Sequence, residues 1–307
     1  MDQVRTPVCR GMSAPVETLG FERLPRPELS AAGRHGAALA RFEVSRGRTI
    51  LRDSYSRVPL QIVRPLYPEG GDPAHLTLIN PTGGSVGGDR LEVELVLGEG
   101  SRVLWTTQGA TRIYRTNGEP VVSRTAIRME KDSVLEFIPD PIIPYAGSRY
   151  RQEVSLELED NARLLYGETL FPGRVASGEA FGYNSLTLRF EARLNGALLL
   201  RDAIEISPRR ADPRSLGLFE PYPYMGTFYV LGGSAGALDR AAENTEALLA
   251  GAGAVGVAGG ASRLEGPGVM IRWLAESPVR LRWAFDEIWN IARLAVLGRK
   301  APRLRKF

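Results

Sequence analysis

Thiol and imidazole are almost missing from this chain of 307 residues, which holds one cysteine, Cys9, and two histidines, His35 and His75. A single cysteine excludes an internal disulfide and any cysteine-cluster metal site. Two histidines leave little room for His-based catalysis or a His-rich metal centre. The N-terminal MDQVRTPVCRGMSAPVETLG lacks the apolar core segment of a signal peptide. The longest uncharged stretch, 221–238, contains two prolines and four glycines. It is shorter than the roughly 20 apolar residues that span a bilayer. A dense field of one charge is also absent: 39 Lys and Arg face 35 Asp and Glu, a formal net charge of +4. That balance disfavours a nucleic-acid binder and suits an acidic protein partner. Together these absences predict a cytoplasmic protein with neither nucleic acid nor membrane as partner.

What is present is globular: 43% of residues are hydrophobic and 24% charged. Residues 1–35 read as a loose arm interrupted by Pro7, Pro15, Pro25 and Pro27. Residues 36–307 read as one β-rich domain. Leu91–Leu95, Val154–Glu159 and Leu186–Glu191 alternate apolar and polar residues, predicting antiparallel strands with one face on a core. A weak repeat runs through 93–107, 125–139, 154–168 and 188–202. Its small residues are Ser101, Ser133, Ala162 and Ala197. Four positions further on stand Trp105, Phe137, Tyr166 and, against the pattern, Arg201. Units that cannot bury their own apolar face must stack. The expected fold is therefore mainly β, with stacked or coiled antiparallel sheets in a β-helix-like layered architecture; hairpins of a β-sandwich are the alternative. Two helices are expected near the C-terminus, at about 237–249 and 278–297. Ser277 caps the second, Pro278 occupies its first turn, and Gly298 stops it.

Four segments could carry chemistry. Asn80–Asp89 has four glycines, which suit a phosphate-cradling loop, a tight turn, or a surface where another backbone or a hydrated ion passes close to Asp89. It lacks the Gly-Lys-Ser/Thr signature and leads into a strand, which argues against nucleotide binding. Trp105–Arg115 gathers hydroxyls around a glycine turn. Phe137–Gln152 has three closely spaced prolines, a rigid crossing suited to docking. Gly167–Phe181 places Glu168 and Glu179 around glycine turns, and a carboxylate pair permits a carbohydrate hydrolase as a second reading. Thr106, Thr107, Asp140, Glu168 and Asp202 all lie five to seven residues after the small residue of their unit. Stacking would gather them at the mouth of a polar opening.

Several segments together resemble the UreD (UreH) family of urease accessory proteins. They are NPTGGSVGGDRLEVELVLGEG, TTQGATRIYRTNG, LEFIPDPIIPYAGSRYRQ and GETLFPGRVASGEAF, with TILRDSYSRVPLQIVRPLYPE before them and ESPVRLRWAFDEIWNIARLAVLG after. The resemblance covers about residues 37–307. It implies a mostly β fold without catalysis of its own, and no tightly bound cofactor. It also implies joint action with UreF and the GTPase UreG on apo-urease, as a metallocentre-assembly chaperone with nickel in transit. Cys9 falls in the arm, and His35 and His75 are far apart in sequence. Transient metal contacts would then rest on the oxygens of Asp89, Glu168, Glu179 and Asp202. Partner contacts are expected at Thr106, Thr107, Asp140 and Tyr145. They are also expected at Trp283 and Trp289, which fall off the apolar stripe of the last helix, and at Arg303 and Arg305 in the basic tail.

Overall fold

The computed structural model describes residues 34–215 and 217–304. Most of the expected arm, with Cys9, and Arg305 in the tail lie outside the described residues. The chain opens with β1 (His35–Ser45), β2 (Arg48–Arg57) and β3 (Gln61–Ile62). It then winds through β4 (Ala74–Ile79), β5 (Arg90–Leu97), β6 (Arg102–Thr107), β7 (Thr111–Ile113), β8 (Val121–Met129), β9 (Val134–Ile138), β10 (Ile142–Pro144), β11 (Arg149–Leu158) and β12 (Arg163–Leu170). A small ribbon, β13 (Gly173–Arg174) and β14 (Glu179–Ala180), precedes β15 (Ser185–Leu194), β16 (Ala197–Ile206) and β17 (Tyr224–Leu231). Helix α1 (Ala235–Ala250), β18 (Val257–Arg263), β19 (Gly268–Ala275) and helix α2 (Pro278–Leu297) follow.

From β4 to β15 the long strands alternate between two facing sheets. The seven-stranded sheet runs β16-β15-β11-β8-β5-β1-β2, and the ten-stranded sheet runs β18-β19-β17-β12-β9-β6-β4-β3, with β7 and β10 attached. The expected mainly β, stacked architecture with two C-terminal helices is what forms. Strand direction differs from the expectation. β1, β5, β8, β11 and β15 pair in parallel, as do β4, β6, β9 and β12; antiparallel pairs lie at the margins. The reason is the coil: each turn re-enters a sheet in the direction it left, crossing over through the facing sheet. Alternating polarity records one buried face and says nothing of direction.

The repeat is real for three units and fails for the fourth. Val103, Leu135 and Leu164 stand in register, and so do Trp105, Phe137 and Tyr166. The small residues fall one position before the paired strands begin. Ser101 and Ser133 are fully buried there, their hydroxyls donating to Gly98 O and Glu130 O at 2.6 Å. Ala197 instead opens β16, a hairpin partner of β15, and is exposed. The aromatic ladder continues on β17, where Tyr229 pairs with Tyr166.

Most of the coil interior is one core, including Leu95, Leu97, Trp105, Leu135, Leu156 and Phe190, and a smaller cluster around Ile113, Tyr150, Tyr183 and Leu186 adds to it. A second core lies on the other face of the ten-stranded sheet, where Leu104, Leu165, Phe228 and Trp273 meet Leu281, Phe285 and Ile288 of α2. With both faces covered, every residue of β9 and β17 is buried. Gly167 on β12 lets α2 approach: a Cβ there would sit 2.5 Å from the Phe285 ring. The helix caps are as the sequence predicts. Ser277 Oγ accepts from Arg280 N at 3.3 Å, and Gly298 closes α2 in the left-handed conformation at φ 66°.

Candidate functional site

Between the sheets, the coil leaves a cavity of about 410 Å³. One wall comes from Leu91, Val93, Ser123, Thr125, Tyr150 and Gln152; the other comes from Trp105, Thr107, Phe137, Tyr166 and Glu168. The end is framed by the glycine-rich turn 80–85, the 108–112 turn and Pro139–Asp140. The glycine-rich segment thus supplies a rim. Gly84 packs where a Cβ would lie 2.7 Å from the Tyr114 ring, and Ser85 exchanges backbone hydrogen bonds with the strand beneath at 2.8 Å. The segment is built of tight turns packed on a neighbouring strand.

Glu168 is the charged group deepest in this cavity. Gln152 Nε2 donates to Glu168 Oε2, and the Tyr166 hydroxyl donates to the same oxygen at 3.4 Å. The Tyr150 hydroxyl donates to Gln152 Oε1 at 3.0 Å. Glu168 is enclosed by protein yet keeps some surface on the cavity. Burial pushes its carboxyl up to about 7, against the hydrogen bonds of Gln152 and Tyr166, with the nearby Asp202 charge adding to the rise. Burial likewise raises the phenols of Tyr150 and Tyr166, which stay protonated donors. A smaller cleft adjoins, sharing Gln152, Tyr166 and Glu168 and continuing to Asp202 and Tyr229. There Tyr229 OH donates to Asp202 Oδ2 at 2.5 Å, and Arg272 forms an ion pair with the same oxygen.

The structure therefore brings together Thr107, Asp140 and Glu168 on one cavity, with Asp202 next door. Thr107 Oγ1 accepts from Asp140 N at 2.8 Å, joining β6 to the proline crossing. Thr106 faces the other way, its hydroxyl donating to Ile138 O at 2.6 Å in a buried position. Asp89 is 5% exposed and accepts from Val86 N at 2.8 Å, closing its own turn. Glu179 lies on the surface ribbon, where Arg174 and the Ala146 N–H hold its carboxyl below the usual range. Glu179 is not among the cavity's lining residues, so Glu168 and Glu179 do not face one cleft as a hydrolase pair must. The four candidate metal-contacting carboxylates do not converge. Among the described residues, no group of three or more His, Cys, Asp or Glu is placed to hold a metal ion.

Tyr145 is half-buried on the crossing, edge-on to Tyr114 at 5.2 Å and under the Arg174 guanidinium at 4.3 Å. Trp283 is half-buried beneath Arg280, and Arg303 is exposed. Trp289 differs from the expectation of a partner contact. It is 2% exposed, and its indole N–H donates to Glu136 Oε2 at 2.8 Å inside the second core. Its off-stripe position reflects a helix buried more deeply in its own chain.

Sequence reasoning missed two sets of residues. One is Gln152 with Tyr150, which reach Glu168 from the facing sheet. The other is a buried network around Arg293. Arg293 Nε donates to Glu136 Oε1 at 3.0 Å, its Nη2 donates to Glu69 at 2.8 and 3.0 Å, and its Nη1 meets Lys300 O. Glu69 in turn bonds His75 Nε2 at 2.9 Å. Burial works against the Arg293 charge, but Glu69 and Glu136 outweigh it and raise its pKa. Burial lowers the pKa of His75. That histidine is a structural hydrogen-bonding residue of this network. No signal local to 69, 136 or 293 announces the contact.

No helix among the described residues is long and apolar enough to cross a membrane. The family model described as UreD urease accessory protein matches residues 34–306. A urease accessory protein UreD of Cenarchaeum symbiosum is 37% identical over 267 residues, covering 85% of this chain and 92% of that protein. One of Actinomyces naeslundii is 33% identical, covering 85% and 94%. One of Lachnoclostridium phytofermentans is 31% identical, covering 86% and 96%. A match of this extent, on a coil whose rim, walls and last helix carry the segments that resembled that family, makes the chain a member of the UreD family of urease accessory proteins.

Proposed function

We propose that this chain is a non-catalytic, cytoplasmic scaffold of urease maturation. It binds apo-urease and, with UreF and UreG, assists the insertion of nickel into the urease active site, holding no cofactor of its own. Its relatives are named accessory proteins, which fits a helper role. The cavity serves as an internal polar conduit, with Glu168 as a transient oxygen ligand. The observation that carries this reading is the setting of Glu168: an interior carboxylate on a mainly apolar cavity, whose direct partners are a neutral amide and a phenol. Oxygen ligands alone hold nickel weakly, which suits passage more than storage. Trp283 and the basic tail, including Arg303, serve as partner contacts.

The test is co-purification of the full chain with urease subunits, UreF and UreG, followed by nickel-dependent activation of urease. Glu168→Ala is expected to lower activation while the complex still assembles. Absence of association with all three partners would reject the scaffold. Loss of UreF binding in the variant would make Glu168 structural and remove the conduit.

A further inference from the structure

The Gln152 amide is clamped between two groups of opposite demand. Its oxygen accepts from the Tyr150 hydroxyl, and its nitrogen donates to the Glu168 carboxylate. In this arrangement the amide N–H and the Tyr166 hydroxyl both point at Glu168 Oε2, one of the two carboxylate oxygens that a cation could use. The terminal torsion of a glutamine side chain is broad and two-fold, so a half-turn of the amide is accessible. A hydroxyl both donates and accepts, so Tyr150 is satisfied before and after such a turn. Gln152, Tyr166 and Glu168 line the cavity and the adjoining cleft alike, so the amide stands at their junction.

We propose that Gln152 is a cation-binding residue: a half-turn of its amide replaces the N–H facing Glu168 with a carbonyl oxygen and completes an oxygen site for a divalent cation. This rests on the conduit reading above. In the turned state the site holds the Glu168 carboxylate, the Gln152 carbonyl and the Tyr166 hydroxyl. Hard oxygen donors of this kind leave a divalent ion with part of its water shell. A cavity of about 410 Å³ has room for that water at roughly 30 Å³ each. The amide thus distinguishes an empty site, closed by its own hydrogen bond, from an occupied one.

The experiment measures Ni²⁺ binding to the purified accessory complex by competition with a chromophoric chelator, with urease activation as a second readout. Gln152→Leu keeps the size and removes both amide ends; binding is expected to weaken about tenfold. Gln152→Glu offers oxygen at either end; binding is expected to tighten and activation to slow. If Gln152→Leu does not assemble, Tyr150→Phe takes its place, with binding weakened because the turned amide loses its acceptor. Glu168→Gln separates the two readings. If it lowers nickel binding while Gln152→Leu, or Tyr150→Phe in its place, leaves binding unchanged, the role of Gln152 is overturned and the conduit stands. If Glu168→Gln changes neither binding nor activation, the conduit reading fails, and this proposal with it.

Discussion

The ten-stranded sheet carries an interior glutamate on each face, and the two are treated in opposite ways. Glu136 on β9 points to the helices and is 1% exposed, with Arg293 and the Trp289 N–H on its two oxygens. Glu168 on β12 points into the coil and meets only an amide and a phenol at contact distance. Burial pushes both carboxyls up, but a guanidinium opposes it directly only at Glu136. A carboxylate locked to a fixed cation has nothing left to offer a mobile one. The pairing of Glu136 is structural, whereas the nearest guanidinium to act on Glu168, Arg272, is bonded to Asp202 and leaves Glu168 without a cation of its own.

The strongest way to break this contrast is Arg293→Met. It strands Glu136 and Glu69 without their cation, and losing one partner of a buried pair costs about 3–5 kcal/mol. Urea denaturation should show that loss; a change below 1 kcal/mol would mean that the network behaves as a surface pair. The contrast is sharpened by pH. Burial pushes the Glu168 carboxyl up to about 7 from its ordinary 4.5, so the folded state binds a proton that the unfolded chain has released. The contribution of Glu168 to stability should therefore fall as pH rises between these two values and level off above them, by about 1–3 kcal/mol, while that of His75, whose pKa burial lowers, runs the other way. Glu168→Gln should flatten that part of the profile, and an unchanged slope would count against the raised pKa. The smallest effect is expected outside both sites. Ser133→Ala removes the 2.6 Å bond to Glu130 O at a coil turn and should cost about 1 kcal/mol in the same assay.

Local signals made much of the fold legible. Ser277, Pro278 and Gly298 bracket α2 because capping acts within a few residues. The rows headed by Val103 and Trp105 were readable because stacked turns repeat the same demand on side-chain size. Ala197 was misread because a hairpin and a coil turn both follow a strand, a polar turn and a small residue; Arg201, in the aromatic position, marked the difference. Strand direction was not written locally, since a period of two records faces only. Glu168 could be found from its place in the repeat. Gln152 could not, because it belongs to the opposite sheet and meets Glu168 only once the coil closes. The contacts of Glu69 and Glu136 with Arg293 span 224 and 157 residues of sequence and leave no local trace.

The coil also makes the reach of the interior a countable quantity. Each turn adds one strand to each sheet, and neighbouring strands are about 4.8 Å apart. Duplicating one unit, from the turn at Ser101 to the turn at Ser133, would lengthen the interior by one such step and set one more aromatic on the ladder. Deleting a unit would shorten it by the same step. Length in this architecture changes by whole rungs, so a lineage could fit the protein to a thicker or thinner partner without redesigning a wall. The flanking antiparallel strands β2 and β16 would continue to close the ends.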